Sequence, residues 1–157
     1  MATLNPYLNF QGNTEEAFNF YKSVFGGEFI TVMRYKDTPE AGKVPAHEQD
    51  KIMHMALPIG KGNILMGTDM LESMGQPLQA GNNISLSITV DSEGEADKLF
   101  QGLSADGQVT MPLEKTFWGD YFGMLTDPFG IQWMISYEYP KQENAAASKQ
   151  ASNFVNS

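Results

Sequence analysis

His47 and His54 are the two imidazoles of this 157-residue chain, and no cysteine accompanies them. Cysteine-ligated metal, thiolate catalysis and disulfides are thereby excluded. Proton transfer or metal coordination must draw on these two histidines, on carboxylates and on a few hydroxyls. His47 stands beside Glu48 in a charged segment broken by proline and glycine, where a histidine is ordinarily solvated. His54 shares a strand face with Ala56. It is either structural, bonded to backbone or a neighbour, or turned toward a ligand. No serine is spaced near either histidine so as to suggest a Ser-His-Asp set.

Trp118, just before Gly119-Asp120-Tyr121, is either a half-exposed core tryptophan or an aromatic wall for a planar or cationic ligand. Met66 and Met134 read first as core residues. Ten methionines in this length nevertheless suit adaptable packing and a tolerant pocket. Asp69 falls just past a strand and would cap the linker that follows.

The elements that must position these residues come twice. Residues 4–10 read as a strand, and Glu15 and Glu16 open a helix capped by Asn13 or Thr14. Ala17, Phe20, Tyr21, Val24 and Phe25 recur at helical spacing, and Gly26-Gly27 ends the run. Strands follow over 29–35, 52–59 and 63–68, with 36–51 a mobile loop and Gly60-Lys61-Gly62 a tight turn. Residues 69–83 form a linker. The second half then reads strand 84–90, helix 93–103, a short strand 109–111, and a hairpin of 121–126 with 131–137 across Asp127-Pro128-Phe129-Gly130. Residues 141–157 are a polar, flexible tail.

The halves match in order of elements and at a few positions, such as Glu16-Ala17 with Glu95-Ala96 and Met66 with Met134. The expectation is α+β: two βαβββ half-modules, 4–69 and 84–139, in one domain over 1–140. They would form a curved mixed sheet around a pocket, with helices on the outer face. Strand alternation turns Leu8, Phe10, Ile88 and Val90 toward the helices. Asn5, Tyr7, Asn9, Ser85, Ser87 and Thr89 then line the opposite face. By the repeat, His54 faces the pocket opposite Phe122.

Composition narrows the partners. Hydrophobic residues are 41% of the chain, enough for a packed core. A net charge of −9 opposes nucleic-acid phosphates and anionic lipid and favours cationic ligands weakly. Nothing at the N-terminus reads as a signal peptide, and no apolar run reaches membrane-spanning length, so a cytoplasmic protein is expected.

Phe20-Tyr21 followed by Val24-Phe25-Gly26, the run Phe117-Trp118-Gly119, and Asp127-Pro128-Phe129-Gly130 before Trp133 resemble the vicinal oxygen chelate superfamily. That superfamily includes glyoxalase I, extradiol dioxygenases, fosfomycin resistance enzymes and bleomycin resistance proteins. The resemblance spans residues 5–139 and is nearest the PhnB-like group. It implies paired βαβββ modules and usually a homodimer, with modules exchanged between chains in some members. PhnB-like proteins often carry a methyltransferase label, but this chain has no glycine-rich loop after its first strand to hold S-adenosylmethionine.

The superfamily's metal enzymes place ligands on the first and last strand of each module. Those positions fall here on Asn5, Ser85, Met66 and Met134. Two thioethers and a hydroxyl do not replace the imidazoles and carboxylates that divalent ions require. The chain is therefore expected to use no metal and no cofactor, and to bind a small-molecule ligand in the bleomycin-resistance manner. The ligand-binding candidates are Asn5, Tyr7, Asn9, His54, Met66, Ser85, Ser87, Trp118, Phe122 and Met134. The alternative is a lyase, isomerase or dioxygenase-type enzyme with a rearranged metal site using His54, aided by Glu48 or Asp69. A third possibility is a dimeric interaction protein with a vestigial pocket.

Overall fold

In a computed structural model, residues 1–140 of the chain are described; the expected tail over 141–157 lies outside them. The first of two units runs from Met1 to Gly81 and the second starts at Asn82. The first contains β1 (Tyr7–Phe10), α1 (Thr14–Phe25), β2 (Thr31–Arg34), β3 (Ile52–Ile59) and β4 (Asn63–Asp69). The second contains β5 (Leu86–Val90), α2 (Glu93–Ser104), β6 (Gln108–Lys115), β7 (Asp120–Thr126) and β8 (Gln132–Glu138). Each sheet has four strands, in the orders β1-β4-β3-β2 and β5-β8-β7-β6. The first and last strand of each unit pair parallel, and the other pairs are antiparallel. The fold is thus α+β with a repeated βαβββ module, as the sequence repeat implies.

Each helix buries one stripe. In α1 the buried residues are Thr14, Ala17, Phe18 and Tyr21; in α2 they are Ala96, Leu99, Phe100 and Leu103. Both sets follow the three-to-four-residue period of an amphipathic helix. Opposite α1 lie buried Leu8, Phe10, Met55, Leu57 and Leu65. Gly67 leaves room for Phe18: a Cβ there would stand 2.6 Å from the ring. Gly123 does the same for Phe100, at 2.7 Å. Deep burial of Trp133, Ile135 and Leu125 completes the core of the second unit.

The two helices start differently. Ser92 caps α2, accepting from the Glu95 amide at 3.1 Å. The Asp91 amide in turn donates to the Glu95 carboxylate at 3.3 Å, close to a capping box. Asn13 makes no capping bond to α1. Asp69, at the end of β4, replaces it. Its Oδ1 accepts from the amides of Gly12 and Thr14 and from the Thr14 hydroxyl, while Oδ2 accepts from the Ile52 amide. Asp69 is therefore a buried clamp joining α1, β3 and β4 rather than a linker cap.

Several boundaries differ from the sequence reading, each for a local reason. Strand β6 is eight residues long, although Pro112 interrupts its pattern. It is an edge strand with register shifts, where a missing N–H is tolerated. Ile84 is exposed at 74% and precedes β5 rather than opening it. The loop over 36–51 carries 3-10 turns at Ala41–Lys43 and Ala46–Glu48, after one at Tyr35–Asp37. Tyr35, Val44 and Leu71 form a small buried cluster beneath it, and the Tyr35 hydroxyl donates to the Asp69 carbonyl at 2.9 Å. That segment is built around its own apolar anchor.

Candidate functional site

The face of the first sheet turned away from α1 is set by register. Tyr7 on β1 pairs with Met66 on β4, and Met66 with Ala56 on β3. One step along, Asn9 pairs with Thr68, and His54 pairs with Met33 on β2. Because partners in a ladder share a face, Tyr7, Asn9, His54, Met66 and Thr68 are gathered on one surface. Tyr7 reaches across β4. Its hydroxyl lies 3.2 Å from His54 Nδ1, and the two rings stack with centroids 5.6 Å apart. Burial raises the Tyr7 pKa above its ordinary value, while a hydrogen bond with Thr68 works in the opposite direction. The phenol therefore stays protonated at neutral pH, with a proton to donate.

The second sheet has a corresponding face. Ser87 pairs with Met134, and Met134 with Met124. Thr89 and Phe122 both pair with Ser136. Trp118 stands over Phe122 with ring centroids 5.9 Å apart, and Phe117 packs edge-on against Trp118 at 5.0 Å. Trp118 is half-exposed, and its Nε1 donates to Asp120 Oδ2 at 3.0 Å. Phe117 is 98% exposed. Ser85 lies just before β5 and is half-buried.

The candidate residues thus fall into two groups. The first sheet brings Tyr7, Asn9, His54 and Met66 to one face; the second brings Ser87, Phe122, Trp118 and Met134 to one face. Asn5 sits at the margin, before β1, and its Oδ1 accepts the Ile64 amide at 3.0 Å. Alternation also places Thr68 and Met124 on these faces, and neither was singled out from sequence. Two shallow depressions of about 270 and 250 Å³ lie elsewhere on the first unit, around Gly12, His47 and Lys51. They are lined in part by His47, Glu48 and Asp69, but by none of the ten ligand-binding candidates.

The positions to which the resemblance assigns metal ligands do not suit a metal. Asn5 has its amide oxygen committed to a backbone N–H, and Met66 and Met134 offer only thioether sulfur to a cation that prefers oxygen or imidazole. Among the described residues, no three His, Asp or Glu side chains gather as a metal-holding group. The residues considered as helpers for His54 are also engaged. Glu48 is buried and accepts from the amide and hydroxyl of Ser73 at 3.2 and 2.7 Å. Asp69 is the clamp described above. His47 is solvated, as its loop position suggests.

Comparison with known proteins agrees with this architecture. The Escherichia coli K12 protein YjdN is 29% identical over 137 residues, covering 85% of this chain and 93% of YjdN. The crystal structure of PA1353 from Pseudomonas aeruginosa superposes with a TM-score of 0.77 at 40% identity, covering 88% of this chain and 98% of that one. A Bacillus cereus PhnB protein, named as a 3-demethylubiquinone-9 3-methyltransferase, superposes with a TM-score of 0.69 at 28% identity, covering 87% of this chain and 99% of its own. The model of the Glyoxalase/Bleomycin resistance protein/Dioxygenase superfamily matches residues 3–135. With its repeated βαβββ module and its PhnB-like structural neighbours, the chain belongs to this superfamily, the vicinal oxygen chelate group.

Proposed function

We propose that this chain binds a small organic molecule without a resident metal, in the manner of the bleomycin-resistance proteins. The observation that carries this reading is the composition of the open sheet faces. They offer aromatic and thioether surface with a few oriented polar groups, which suits binding. The resemblance assigns the metal-ligand positions to Asn5, Met66, Ser85 and Met134, which supports the metal-free reading. No methyl transfer is proposed, since the turn from β1 to α1 lacks the glycine-rich loop that would cradle S-adenosylmethionine. The same proposal includes a homodimeric assembly, which family habit supports, and residence in the cytoplasm. The net charge of −9 argues against nucleic acid or anionic lipid as partner. No helix among the described residues is long and apolar enough to cross a membrane.

The test is a thermal-shift ligand screen run in EDTA and again with added divalent metal. Ligands that stabilise the protein equally in both conditions support the reading. A response confined to metal-loaded protein overturns it.

A second reading, a lyase, isomerase or dioxygenase-type enzyme with a rearranged metal site, draws on the Tyr7–His54 hydrogen bond, which is a possible acid–base couple. Elemental analysis decides between them. A stoichiometric metal lost together with a detectable activity on His54→Ala would establish the enzyme.

A further inference from the structure

The first sheet's open face has two ends of different chemistry. At one end, Tyr7 reaches to His54, with Thr68 and Asn9 beside them. The other end is apolar: Met66 and Ala56 side by side, then Pro58 paired with Ile64. A ligand lying along this face would set an apolar body on the methionine side and a polar group on the histidine side.

Hydrogen-bond roles at the polar end follow from donor and acceptor capacity. A phenol is a better donor than acceptor, and an uncharged imidazole carries one lone pair and one N–H. With the phenol as donor, Nδ1 is the acceptor 3.2 Å away, and the imidazole proton then belongs on Nε2. No bond from Nε2 to another protein group accompanies the bond at Nδ1 among the hydrogen bonds of the described residues.

We infer that Tyr7 fixes His54 as an Nε2–H donor, and that this face takes a ligand presenting an oxygen acceptor, such as a carboxylate, on an apolar or aromatic body. His54 makes the contact; Tyr7 is a positioning residue acting through it. This deepens the proposed binding function and rests on it. It also reverses the preference suggested by overall charge: at this end the site supplies donors, namely His54 Nε2–H and the Asn9 amide, although the protein as a whole is acidic.

The two histidines make the test direct. In ¹⁵N-labelled protein at neutral pH, His54 is expected as the Nε2–H tautomer. Tyr7→Phe should leave it exchanging between tautomers. The ligand probes are 2-naphthoate and 2-naphthylmethylamine, which share an aromatic body and differ in headgroup. 2-Naphthoate is expected to bind and to move the His54 Nε2 resonance. His54→Ala should weaken it roughly tenfold or more, as loss of a charge-assisted hydrogen bond does. His54→Gln, which keeps a donor near the Nε2 position, should recover part of that loss. Circular dichroism of each variant reports the fold. An Nδ1–H tautomer in the wild-type protein, failure of 2-naphthoate to bind, equal binding to His54→Ala, or tighter binding of the amine would each overturn the inference. None of these outcomes touches the broader binding function, which stands or falls on the EDTA screen.

Discussion

Asp69, the last residue of β4, accepts both the amide and the hydroxyl of Thr14, the first residue of α1, at 3.0 and 2.6 Å. A helix usually meets its first unpaired amides with a residue of its own. Here a carboxylate from the sheet does so, and its second oxygen holds Ile52 at the start of β3. The bond network therefore sets where α1 begins relative to the strands that carry His54 and Met66.

Asp69→Ala removes the acceptor from four donors at once, most of them buried. Each buried donor left without a partner costs about 1–3 kcal/mol. Urea unfolding of this variant is expected to show a loss of about 3 kcal/mol or more. Asn13→Ala, whose side chain caps nothing, should change stability by less than about 0.5 kcal/mol. Equal effects for the two variants would contradict the clamp.

Gly67→Ala places a methyl 2.6 Å from the Phe18 ring, with the ring itself fully buried. Overpacking of this kind costs about 1–3 kcal/mol. Adding Phe18→Leu to the same chain should recover part of the loss, and a double-mutant cycle by thermal unfolding measures the coupling. Simple additivity of the two substitutions would show that the contact is not the cause.

Tyr121 donates to Asp97 Oδ1 at 2.6 Å, and this bond, with burial second, raises its pKa to about 12. The folded value lies above the unfolded value of 10.0, so the neutral phenol stabilises the fold. That contribution is complete below pH 10 and disappears as pH rises toward about 12. Absorbance titration at alkaline pH should show one tyrosine step near 12 that Tyr121→Phe removes. Asp97→Asn should bring the step down toward 10. A step unmoved by Asp97→Asn would reject the assignment.

Trp118 is half-exposed, whereas Trp133 is buried and donates to Asp127 at 2.8 Å. Acrylamide should quench the emission of one tryptophan and spare the other. Trp118→Phe is expected to remove most of the quenchable signal, with a stability change within about 0.5 kcal/mol. For a ligand that stacks on this wall, the same variant should weaken binding several-fold. Quenching that survives in Trp118→Phe would mean that Trp133 is the accessible ring.

The repeat and the strand faces were legible because alternation is local. Leu8 and Phe10 against Tyr7 and Asn9 can be read within four residues, and the buried and exposed pattern of β1 follows it. The grouping of Tyr7, His54 and Met66 followed from the same parity. The bond between Tyr7 and His54 was not legible, since they are 47 residues apart and a strand lies between theirs. Only the register of β1, β4 and β3 brings the hydroxyl to the ring. Asp69 was misread for a similar reason: its partners lie 55 and 17 residues away. Strand β6 was read too short because Pro112 breaks a sequence pattern without breaking an edge strand.

The glycine notches have a consequence for any exchange of parts between the two halves. In the first unit the notch is Gly67 on β4, beside Met55 on β3; in the second it is Gly123 on β7, beside Ile135 on β8. Small and large residues have traded strands, and the helix aromatics have moved with them, Phe18 in one and Phe100 in the other. A chimera with the α1 segment spliced in place of α2 would put Phe18 where Asp97 stands and strip Tyr121 of its acceptor. Each helix aromatic fits the glycine of its own sheet, so a swap that keeps both fits has to move helix and sheet together.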